Sequence, residues 1–179
     1  STVTSLTVGH TTPVSIAADK ILSGAVTVTG GSIKLGETGT LASTVTMSGG
    51  TLDADETLTL SGDLTQTGDM EIHVAQDKTL SYSGAAVNLG ARTLTMSGKG
   101  IFGNTNALRL NNASSKLLLS NTTTVGSVST TANNSGVDVD QNSTITSLTV
   151  GYITPVSIAA GKTLSGAVTV TGGSIKLGE

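Results

Sequence analysis

Apolar and polar residues alternate over short stretches along the whole chain. Four stretches share one form, in which two apolar residues flank a threonine and a Ser-Gly or Thr-Gly pair follows. Alternation with a period of two is typical of a β-strand with one buried face, and the glycine favours a turn after it. A sustained helical period is absent, so we expect no helix longer than one turn. The four stretches are 26–31, 45–50, 58–63 and 94–99.

The spacing of these stretches predicts the fold. They begin at positions 26, 45, 58 and 94, so the second step is about two thirds of the first and the third is nearly twice the first. A step of roughly 20 residues with about three short strands is what one coil of a β-solenoid needs. We therefore predict an all-β parallel β-helix with ~20 residues per coil and roughly nine coils. The alternative is a tandem β-sandwich, whose turns usually come every ~8–12 residues rather than every six or seven.

A long internal repeat defines the domain organisation. Residues 143–179 match residues 1–37 at all but five positions, so position 143 corresponds to position 1. Residues 1–142 are thus interpreted as one complete solenoid unit, and residues 143–179 as the start of the next. At ~4.8 Å per coil, about seven coils would give each unit a rise of roughly 34 Å. We expect the sequence to be a piece of a longer tandem array.

The five differences between the two copies are informative. Two of them exchange a polar for an apolar residue, which a buried site would tolerate poorly, so we place both positions on the surface. A third keeps a β-branched apolar side chain, as expected of a packed position, and a fourth exchanges two turn residues. In chain order the differences are Val3/Ile145, His10/Tyr152, Thr11/Ile153, Asp19/Gly161 and Ile21/Thr163.

Composition excludes several classes of protein. The net charge is -3, so there is no basic surface for nucleic acid or anionic lipid. The longest apolar runs fall far short of the ~20 residues of a membrane span. The chain has no cysteine, which excludes disulfides, Cys-ligated metals and a thiol nucleophile and suits an exported protein. We therefore expect neither a nucleic-acid partner nor a membrane span in this sequence.

Two elements carry a resemblance to a known group of proteins. Thr-Leu-Thr-Leu-Ser-Gly at 57–62 and Thr-Leu-Thr-Met-Ser-Gly at 93–98, with the Thr-Val-Thr-Gly-Gly turns, resemble the β-helical repeats of secreted bacterial surface proteins. Autotransporter passengers and filamentous haemagglutinin-like adhesins are the most similar groups. The resemblance implies a right-handed parallel β-helix located outside the cell or on its surface. It brings no functional residues with it.

Few residues are candidates for catalysis. The two histidines, His10 and His73, are expected to face solvent, and no nucleophile-elbow or zinc-protease motif occurs. Asp53 and Asp55 belong to an acidic cluster of the kind that some polysaccharide-degrading β-helix enzymes use. However, the chain has few aromatic residues for binding sugars and no basic residue close to this cluster in sequence. We interpret the cluster as a solvated corner, and we expect no catalytic residue and no cofactor.

A calcium site is a weaker candidate. Asp138, Asp140 and Asn142 place oxygen ligands at alternate positions, as at the start of an EF-hand loop. Ser143 stands where that loop needs glycine, and Thr149 stands where a bidentate glutamate should close it. An ordinary strand with its aspartates outward explains the same alternation. We therefore predict no metal and keep these three residues as the only candidate.

Four asparagines fit the acceptor pattern for N-glycosylation. Asn112, Asn121, Asn133 and Asn142 are each followed two positions later by serine or threonine. The alternative is that asparagine occupies turns, because serine and threonine are common throughout the chain. Alternation is least regular over 104–142, so this is where an adhesin would bind a glycan or receptor.

Threonine pairs suggest one further function, the binding of ice. Flat rows of outward threonines can order water, but they need a constant spacing, and the short step from position 45 to position 58 should move some pairs to another face. Threonine is also simply a good strand residue. The pairs are Thr27/Thr29, Thr44/Thr46, Thr57/Thr59, Thr65/Thr67 and Thr93/Thr95.

These observations together predict a structural, non-enzymatic extracellular protein that forms a rigid β-solenoid rod or filament on the cell surface. The expected partner is the protein itself, through stacked tandem repeats or end-to-end contacts, because an uncapped coil exposes unpaired backbone groups and apolar side chains. Surface glycans are a second candidate partner. The alternatives are an adhesin for a glycan or cell receptor, an ice-binding protein and a polysaccharide-degrading β-helix.

Overall fold

A computed structural model describes residues 2–9, 13–16, 20–35, 40–41 and 44–178. Within these ranges the chain consists of strands and turns and contains no helix. The strands run parallel and stack in nine layers, which makes about eight turns of a β-solenoid from the first layer to the last. The predicted fold and coil length are confirmed.

Each layer contributes two or three strands. They are numbered along the chain, and layers 3 to 6 hold three strands where the other layers hold two. The strands are β1 (Thr2–Val8) and β2 (Val14–Ile16) in layer 1; β3 (Ile21–Val28) and β4 (Ser32–Leu35) in layer 2; β5 (Thr40–Leu41), β6 (Val45–Met47) and β7 (Thr51–Ala54) in layer 3; β8 (Leu58–Leu60), β9 (Leu64–Gln66) and β10 (Met70–Val74) in layer 4; β11 (Thr79–Tyr82), β12 (Val87–Asn88) and β13 (Thr93–Gly98) in layer 5; β14 (Ile101–Asn104), β15 (Leu108–Leu110) and β16 (Lys116–Leu119) in layer 6; β17 (Thr124–Thr130) and β18 (Gly136–Val139) in layer 7; β19 (Ser143–Val150) and β20 (Pro155–Ile158) in layer 8; and β21 (Leu164–Val170) and β22 (Ser174–Leu177) in layer 9.

The strands form two sheets that run along the stack. Sheet 1 takes one strand from every layer, in the order β2-β4-β7-β10-β13-β16-β18-β20-β22. Sheet 2 holds the other thirteen strands. In sheet 2 the long strand β3 pairs with both β5 and β6, so that one strand in layer 2 is continued by two in layer 3. Parallel pairing of this kind requires a crossover between neighbours, and here each full coil is that crossover.

The core is one continuous cluster of apolar side chains enclosed by the two sheets. Val26 and Val28 of β3 are buried, while Thr27 between them lies on the other face. At least one strand of every layer from 2 to 8 shows the same alternation, and the buried apolar residues form one cluster from Val8 to Ile158. One layer alone buries too little apolar surface to offset its ordering entropy, whereas stacking covers both of its faces.

The four similar stretches of the sequence all form strands, but not equivalent ones. The stretch at 94–99 lies in β13 of sheet 1, and the other three lie in sheet 2. Within sheet 2, β8 pairs with β5, whereas β6 pairs with β9. One pattern of alternation therefore serves different positions around the coil, because it specifies only that alternate residues face the core.

The coils that lead into layers 5 and 6 are longer than the others. In sheet 1, Ile72 pairs with Met96 and Met96 with Leu119, and both steps exceed every other step along this sheet. The extra residues lie in layers that hold three strands, two of which belong to sheet 2. The solenoid is therefore widest near its middle.

The bulkiest side chains lie in these wide layers. Tyr82 and Phe102 stack with their ring centroids 5.9 Å apart. The Tyr82 hydroxyl donates to the Ala85 carbonyl at 2.6 Å and accepts from the Leu64 amide at 3.1 Å. Burial raises the pKa of this hydroxyl. The longer coils thus make room for two aromatic rings and satisfy the one polar group that they bring into the core.

The register does not repeat in step with the sequence. Successive partners in sheet 1 lead from Ile33 in layer 2 to Leu177 in layer 9. The sequence repeat instead makes Ile175 the counterpart of Ile33, since position 143 corresponds to position 1. From one repeat unit to the next, the equivalent strand of sheet 1 is therefore displaced by two residues along its own direction. A shift by an even number keeps the same side chains facing the core.

Candidate functional site

Four polar side chains occupy one register position on neighbouring strands of sheet 1. Lys34 of β4 is paired with Asp53 of β7. Asp53 is paired in turn with His73 of β10, and His73 with Ser97 of β13. Parallel strands hold such partners only ~4.8 Å apart, so their side chains meet along the axis. We refer to Lys34, Asp53, His73 and Ser97 as the polar row.

Lys34 bridges two of the predicted acidic residues. Its Nζ lies 3.0 Å from Asp55 Oδ2 and 3.3 Å from Asp53 Oδ2. The hydrogen bonds to Asp55 and then to Asp53 raise the pKa of Lys34. Asp55 is exposed, but the Asp53 side chain is only 15% exposed, and its Oδ1 has no hydrogen-bond partner.

The interpretation of this cluster as a solvated corner without a basic neighbour is therefore wrong for Asp53, which lies within strand β7 beside a lysine. Lys34 was missed because it stands one whole coil before Asp53 in the chain. The coil length was the signal that could have found it, since residues one coil apart become direct neighbours.

The other end of the polar row does not form a nucleophile and base. His73 Nδ1 lies 2.9 Å from Ser97 Oγ, and Ser97 Oγ donates a hydrogen bond to the Glu71 carboxylate. Because the Ser97 hydroxyl donates its one proton to the Glu71 carboxylate, it does not donate that proton to Nδ1 of His73. A general base would have to accept the serine proton instead. His73 is half-buried rather than fully solvent-facing, and His10 lies outside the described residues.

Asp53, Asp55 and His73 also form the one cluster of carboxylates and imidazole, among the described residues, that could hold a metal ion. Their ligand atoms lie within 4.8 Å of one another. The Lys34 ammonium already bridges both carboxylates. A divalent cation would have to displace that ammonium, so the arrangement as it stands is an ion-pair network between layers 2 and 3.

Two of the three candidate calcium ligands have other partners. Asp138 lies in β18 between the buried Val137 and Val139, and its carboxylate is 2.6 Å from Lys116 Nζ. The hydrogen bond to Asp138 raises the pKa of Lys116. Asn142 Oδ1 accepts a hydrogen bond from the Thr163 amide at 3.0 Å, and Asp140 is exposed. The alternation that suggested an EF-hand loop is thus that of a strand.

The four candidate glycosylation asparagines are not buried, and three of them stabilise turns. The Asn112 side chain accepts from the Ser114 amide at 3.0 Å, which makes a local turn. The Asn133 side chain accepts from the Ile153 amide at 3.1 Å, one layer away, as Asn142 does with Thr163. Asn121 shows no such side-chain bond within the described part of the chain. Asparagine in turns therefore accounts for three of the four positions.

The segment predicted for an adhesin site is regular in the structure. Strands β14 to β18 and the start of β19 all join the two sheets, and the connections between them contain at most five residues. The described residues of 104–142 include no strand that projects from the stack. The irregular alternation reflects polar residues inside the stack, such as Asn104, whose side-chain amide donates to the Ser127 carbonyl at 2.7 Å.

Two open grooves lie between layers. One, of about 430 Å³, is bordered by carboxylates and hydroxyls, and the other, of about 130 Å³, mainly by hydroxyls. Neither is lined by an aromatic side chain on which a sugar ring could stack. The larger is lined by Gly50, Thr51, Asp69, Met70, Glu71, Thr93 and Thr95, and the smaller by Thr122, Thr123, Thr124, Asn142, Ser143, Thr144, Thr163 and Ser165.

Threonines form one short column on sheet 2. Thr7, Thr27, Thr46 and Thr65 share a register position on β1, β3, β6 and β9. The predicted pairs at 57/59 and 93/95 lie elsewhere, on β8 of sheet 2 and on β13 of sheet 1. The expectation that the pairs fall on different faces is confirmed. The column spans four layers of the nine.

The last layer presents an open apolar face. Val168 and Val170 of β21 are 37% and 48% exposed, and Ile175 and Leu177 of β22 are 41% and 75% exposed. In layer 1, by contrast, Val8 and Ile16 are buried. The predicted exposure of apolar side chains at uncapped coils therefore holds for layer 9 and not for these side chains of layer 1.

Comparison with protein-family models, with curated proteins and with solved structures gave no match. The β-helical part of the predicted resemblance is borne out by the fold, while the link to autotransporters or haemagglutinin-like adhesins rests on the sequence elements alone. Among the described residues, no helix has the length and apolar character needed to cross a membrane.

Proposed function

We propose that this chain is part of a non-enzymatic structural rod that is displayed outside the cell, as the resemblance to secreted β-helical repeats implies. The observation that supports this proposal best is the unbroken pairing of sheet 1 through all nine layers over one continuous apolar core. A rod needs this continuity, because each layer is held only by its two neighbours.

Ion pairs between layers add to this axial cohesion. Lys116 of layer 6 pairs with Asp138 of layer 7, and Lys78 of layer 5 pairs with Glu56 just before layer 4. Lys34 joins layer 2 to layer 3. Each of these pairs is partly exposed and screened by solvent, so the apolar core remains the main stabilising element.

The proposal assigns no catalysis to the polar row. Lys34 is paired with both nearby carboxylates, and Ser97 donates to Glu71 rather than to His73. Two of the three aromatic residues of the chain, Tyr82 and Phe102, are buried in the core. A polysaccharide-degrading enzyme would need a free acid or base beside a surface that binds sugar rings.

The rod is tested by concatenation. Chains with one, two and four extra copies of residues 38–179 joined after Glu179 are compared with the original chain by small-angle X-ray scattering and electron microscopy. We expect the cross-section to stay constant while the length grows by ~34 Å per added copy, because each copy adds seven layers at ~4.8 Å. Particles that grow in width instead of length would contradict the proposal.

The adhesin alternative is tested on the same material. Binding of the concatenated chains to a glycan array and to cells is measured, with the Lys34→Met variant as a second sample. The rod proposal predicts no saturable binding to any glycan. A specific, saturable glycan signal would replace it with an adhesin function.

A further inference from the structure

The charged residues of layers 3 to 6 are separated by sign along the axis. Residues 44–77, which include β6 to β10 of layers 3 and 4, carry seven aspartates and glutamates and no lysine or arginine. Residues 78–119, which hold layers 5 and 6, carry five lysines and arginines and no acidic residue. We refer to these segments as the acidic band and the basic band. The net charge of -3 conceals them, because their charges largely offset each other.

Most of these charges lie on the side of the solenoid that sheet 1 forms. Asp53 and Glu71 belong to its strands β7 and β10, and Lys116 begins its strand β16. Asp63, between β8 and β9, and Arg109, in β15, lie on sheet 2 instead. The remaining charged residues of both bands lie in turns that directly precede or follow strands of sheet 1. One face therefore displays both signs, one above the other.

Both edges of this face show the same change of sign from layer 4 to layer 5. At the amino ends of the strands, Asp69 precedes β10 and Arg92 precedes β13. At the carboxyl ends, Asp77 follows β10 and Lys99 follows β13. Asp69, Asp77 and Lys99 are exposed, and Arg92 is partly exposed.

These four edge residues have no opposite charge beside them in their own molecule. The ion pairs among the described residues involve none of them. Asp69 accepts a hydrogen bond from the Thr93 amide at 2.7 Å, and Asp77 accepts one from the Gln76 side chain at 3.4 Å. Neither bond neutralises the carboxylate, so both charges are available to a second molecule.

We propose that sheet 1 is the docking surface for a second copy of this chain, which lies alongside the first in the opposite direction. A two-fold axis parallel to the strands, between layers 4 and 5, places layer 4 of each copy against layer 5 of the other, and layer 3 against layer 6. The acidic band of each copy then faces the basic band of the other. Because this axis keeps like edges together, Asp77 meets Lys99 of the second copy at one edge, and Asp69 meets Arg92 at the other.

The adjoining layers match as well, although they did not determine the axis. The same symmetry places layer 2 against layer 7. Asp140 directly follows Val139, which is in line with Met96, so Asp140 lies at the register position of Lys34 and the polar row. Lys34 of one copy therefore faces the exposed Asp140 of the other.

A parallel arrangement of two copies matches fewer charges. Side by side at the same height, it places acidic band on acidic band and basic band on basic band. Sliding one copy by two layers, or ~9.6 Å, brings one acidic band against one basic band and leaves the other two bands without each other. The antiparallel pair matches both, and it closes on itself as a dimer.

The size of the face sets the expected strength of this contact. Layers 2 to 7 at ~4.8 Å each, with strands of about five residues, give roughly 29 by 17 Å, or about 500 Å² from each copy. This area is at the low end for specific protein contacts, so we expect a weak, salt-sensitive dimer. The contact needs one unit from each partner and does not depend on the length of a rod.

The test uses the complete chain in sedimentation velocity at ~20 mM and ~300 mM salt. We expect a dimer at low salt and a dissociation constant at least ~10-fold higher at high salt, because exposed charges are screened. Lys99→Glu reverses the base at the carboxyl edge. Gln76→Lys with Asp77→Asn reverses the acid there, while asparagine tolerates the φ of 62° at this position. Each variant alone should weaken dimerisation at least ~10-fold, and an equimolar mixture of the two should restore it.

The matched control is Arg109→Glu, which changes the net charge as Lys99→Glu does but lies on sheet 2. It should dimerise like the original chain. Equal weakening by both variants would show that net charge alone governs association and would overturn the proposal. A monomer at low salt, a dimer that ignores salt, or a mixture that stays monomeric would each overturn it too. Circular dichroism of every variant separates these results from a loss of the solenoid, which would count against the rod instead.

Discussion

Layers 2 and 9 share one sequence from their first leucine onward, yet they differ in what that sequence does. In layer 2, Val28 and Ile33 are completely buried, whereas in layer 9 the counterparts Val170 and Ile175 are 48% and 41% exposed. The sequence specifies the shape of the layer, and the neighbouring layer decides how much stability each side chain contributes. This is the behaviour of a one-dimensional stack with nearest-neighbour contacts.

The largest expected difference between the two layers is in the free energy of unfolding that is lost when the equivalent isoleucine of each is replaced by alanine. Ile33→Ala should lower the free energy of unfolding by about 2–5 kcal/mol, because it leaves a cavity in the core. Ile175→Ala should cost under about 1 kcal/mol, because this side chain is partly exposed already. Urea unfolding of the two variants gives the comparison directly. Equal costs would show that layer 9 is covered in solution.

Backbone geometry should matter in layer 9 even though its side chains are exposed. Gly166 has a φ of 116°, and a Cβ placed there would lie 1.9 Å from the Ile145 carbonyl oxygen of layer 8. Gly166→Ala should therefore cost about 1–3 kcal/mol or detach layer 9, because both the positive φ and the contact are unfavourable. Hydrogen exchange across 164–177 measures this effect. The control is Gly161→Ala, which has a positive φ as well but whose Cβ meets no atom within 4 Å.

Alkaline pH should weaken the junction above layer 2. The pKa of Lys34 is raised by Asp55 and Asp53, so the folded state holds this proton more tightly than the unfolded state. The stabilisation is complete below the unfolded lysine pKa of ~10.4 and is lost as the pH rises through the folded pKa.

Urea unfolding at several pH values checks this prediction. Lys34→Met should show a shallower loss of stability above about pH 10 than the original chain. Lys176→Met removes the same side chain without touching Asp53 or Asp55. Parallel curves for the original chain and Lys34→Met would mean that the ion pair does not stabilise the junction.

The smallest effect is expected where the two copies differ. Ile21 is 55% exposed, and its counterpart Thr163 is not buried either. Exchanging them, as Ile21→Thr or Thr163→Ile, should change the free energy of unfolding by less than ~0.5 kcal/mol. Thermal unfolding of both variants is sufficient. A larger loss for Ile21→Thr would show that this position packs against another residue.

The fold was predictable because its information is local and repeated. Alternation over 26–31 or 45–50 identifies which side chains face the core, and the step from position 26 to position 45 identifies the coil. Even the surface positions could be read from the differences between copies, as Ile21 and Ile153 are exposed and Thr163 is not buried. The position of Thr11 lies outside the described residues.

The polar row was less predictable, because its contacts join residues one coil apart. Asp53 looks solvated from its own neighbours in sequence, and only the register brings Lys34 to it. The long coils into layers 5 and 6 break the regular spacing, so the contact of His73 with Ser97 does not follow from a constant coil length. The local alternation of apolar and polar residues thus predicts the strands, whereas the register between strands of neighbouring layers is seen only in the three-dimensional structure.

The two-residue slip between the sequence repeat and the sheet register has a consequence for an assembled rod. Along sheet 1, each unit would set its equivalent side chains back by ~6.6 Å along the strand for every ~34 Å of rise, an inclination of roughly 11°. A group that sheet 1 displays once per unit, such as Lys34 or its counterpart Lys176, would then lie on an oblique stripe across this sheet. A flat neighbour that ran along sheet 1 could meet that group only at intervals.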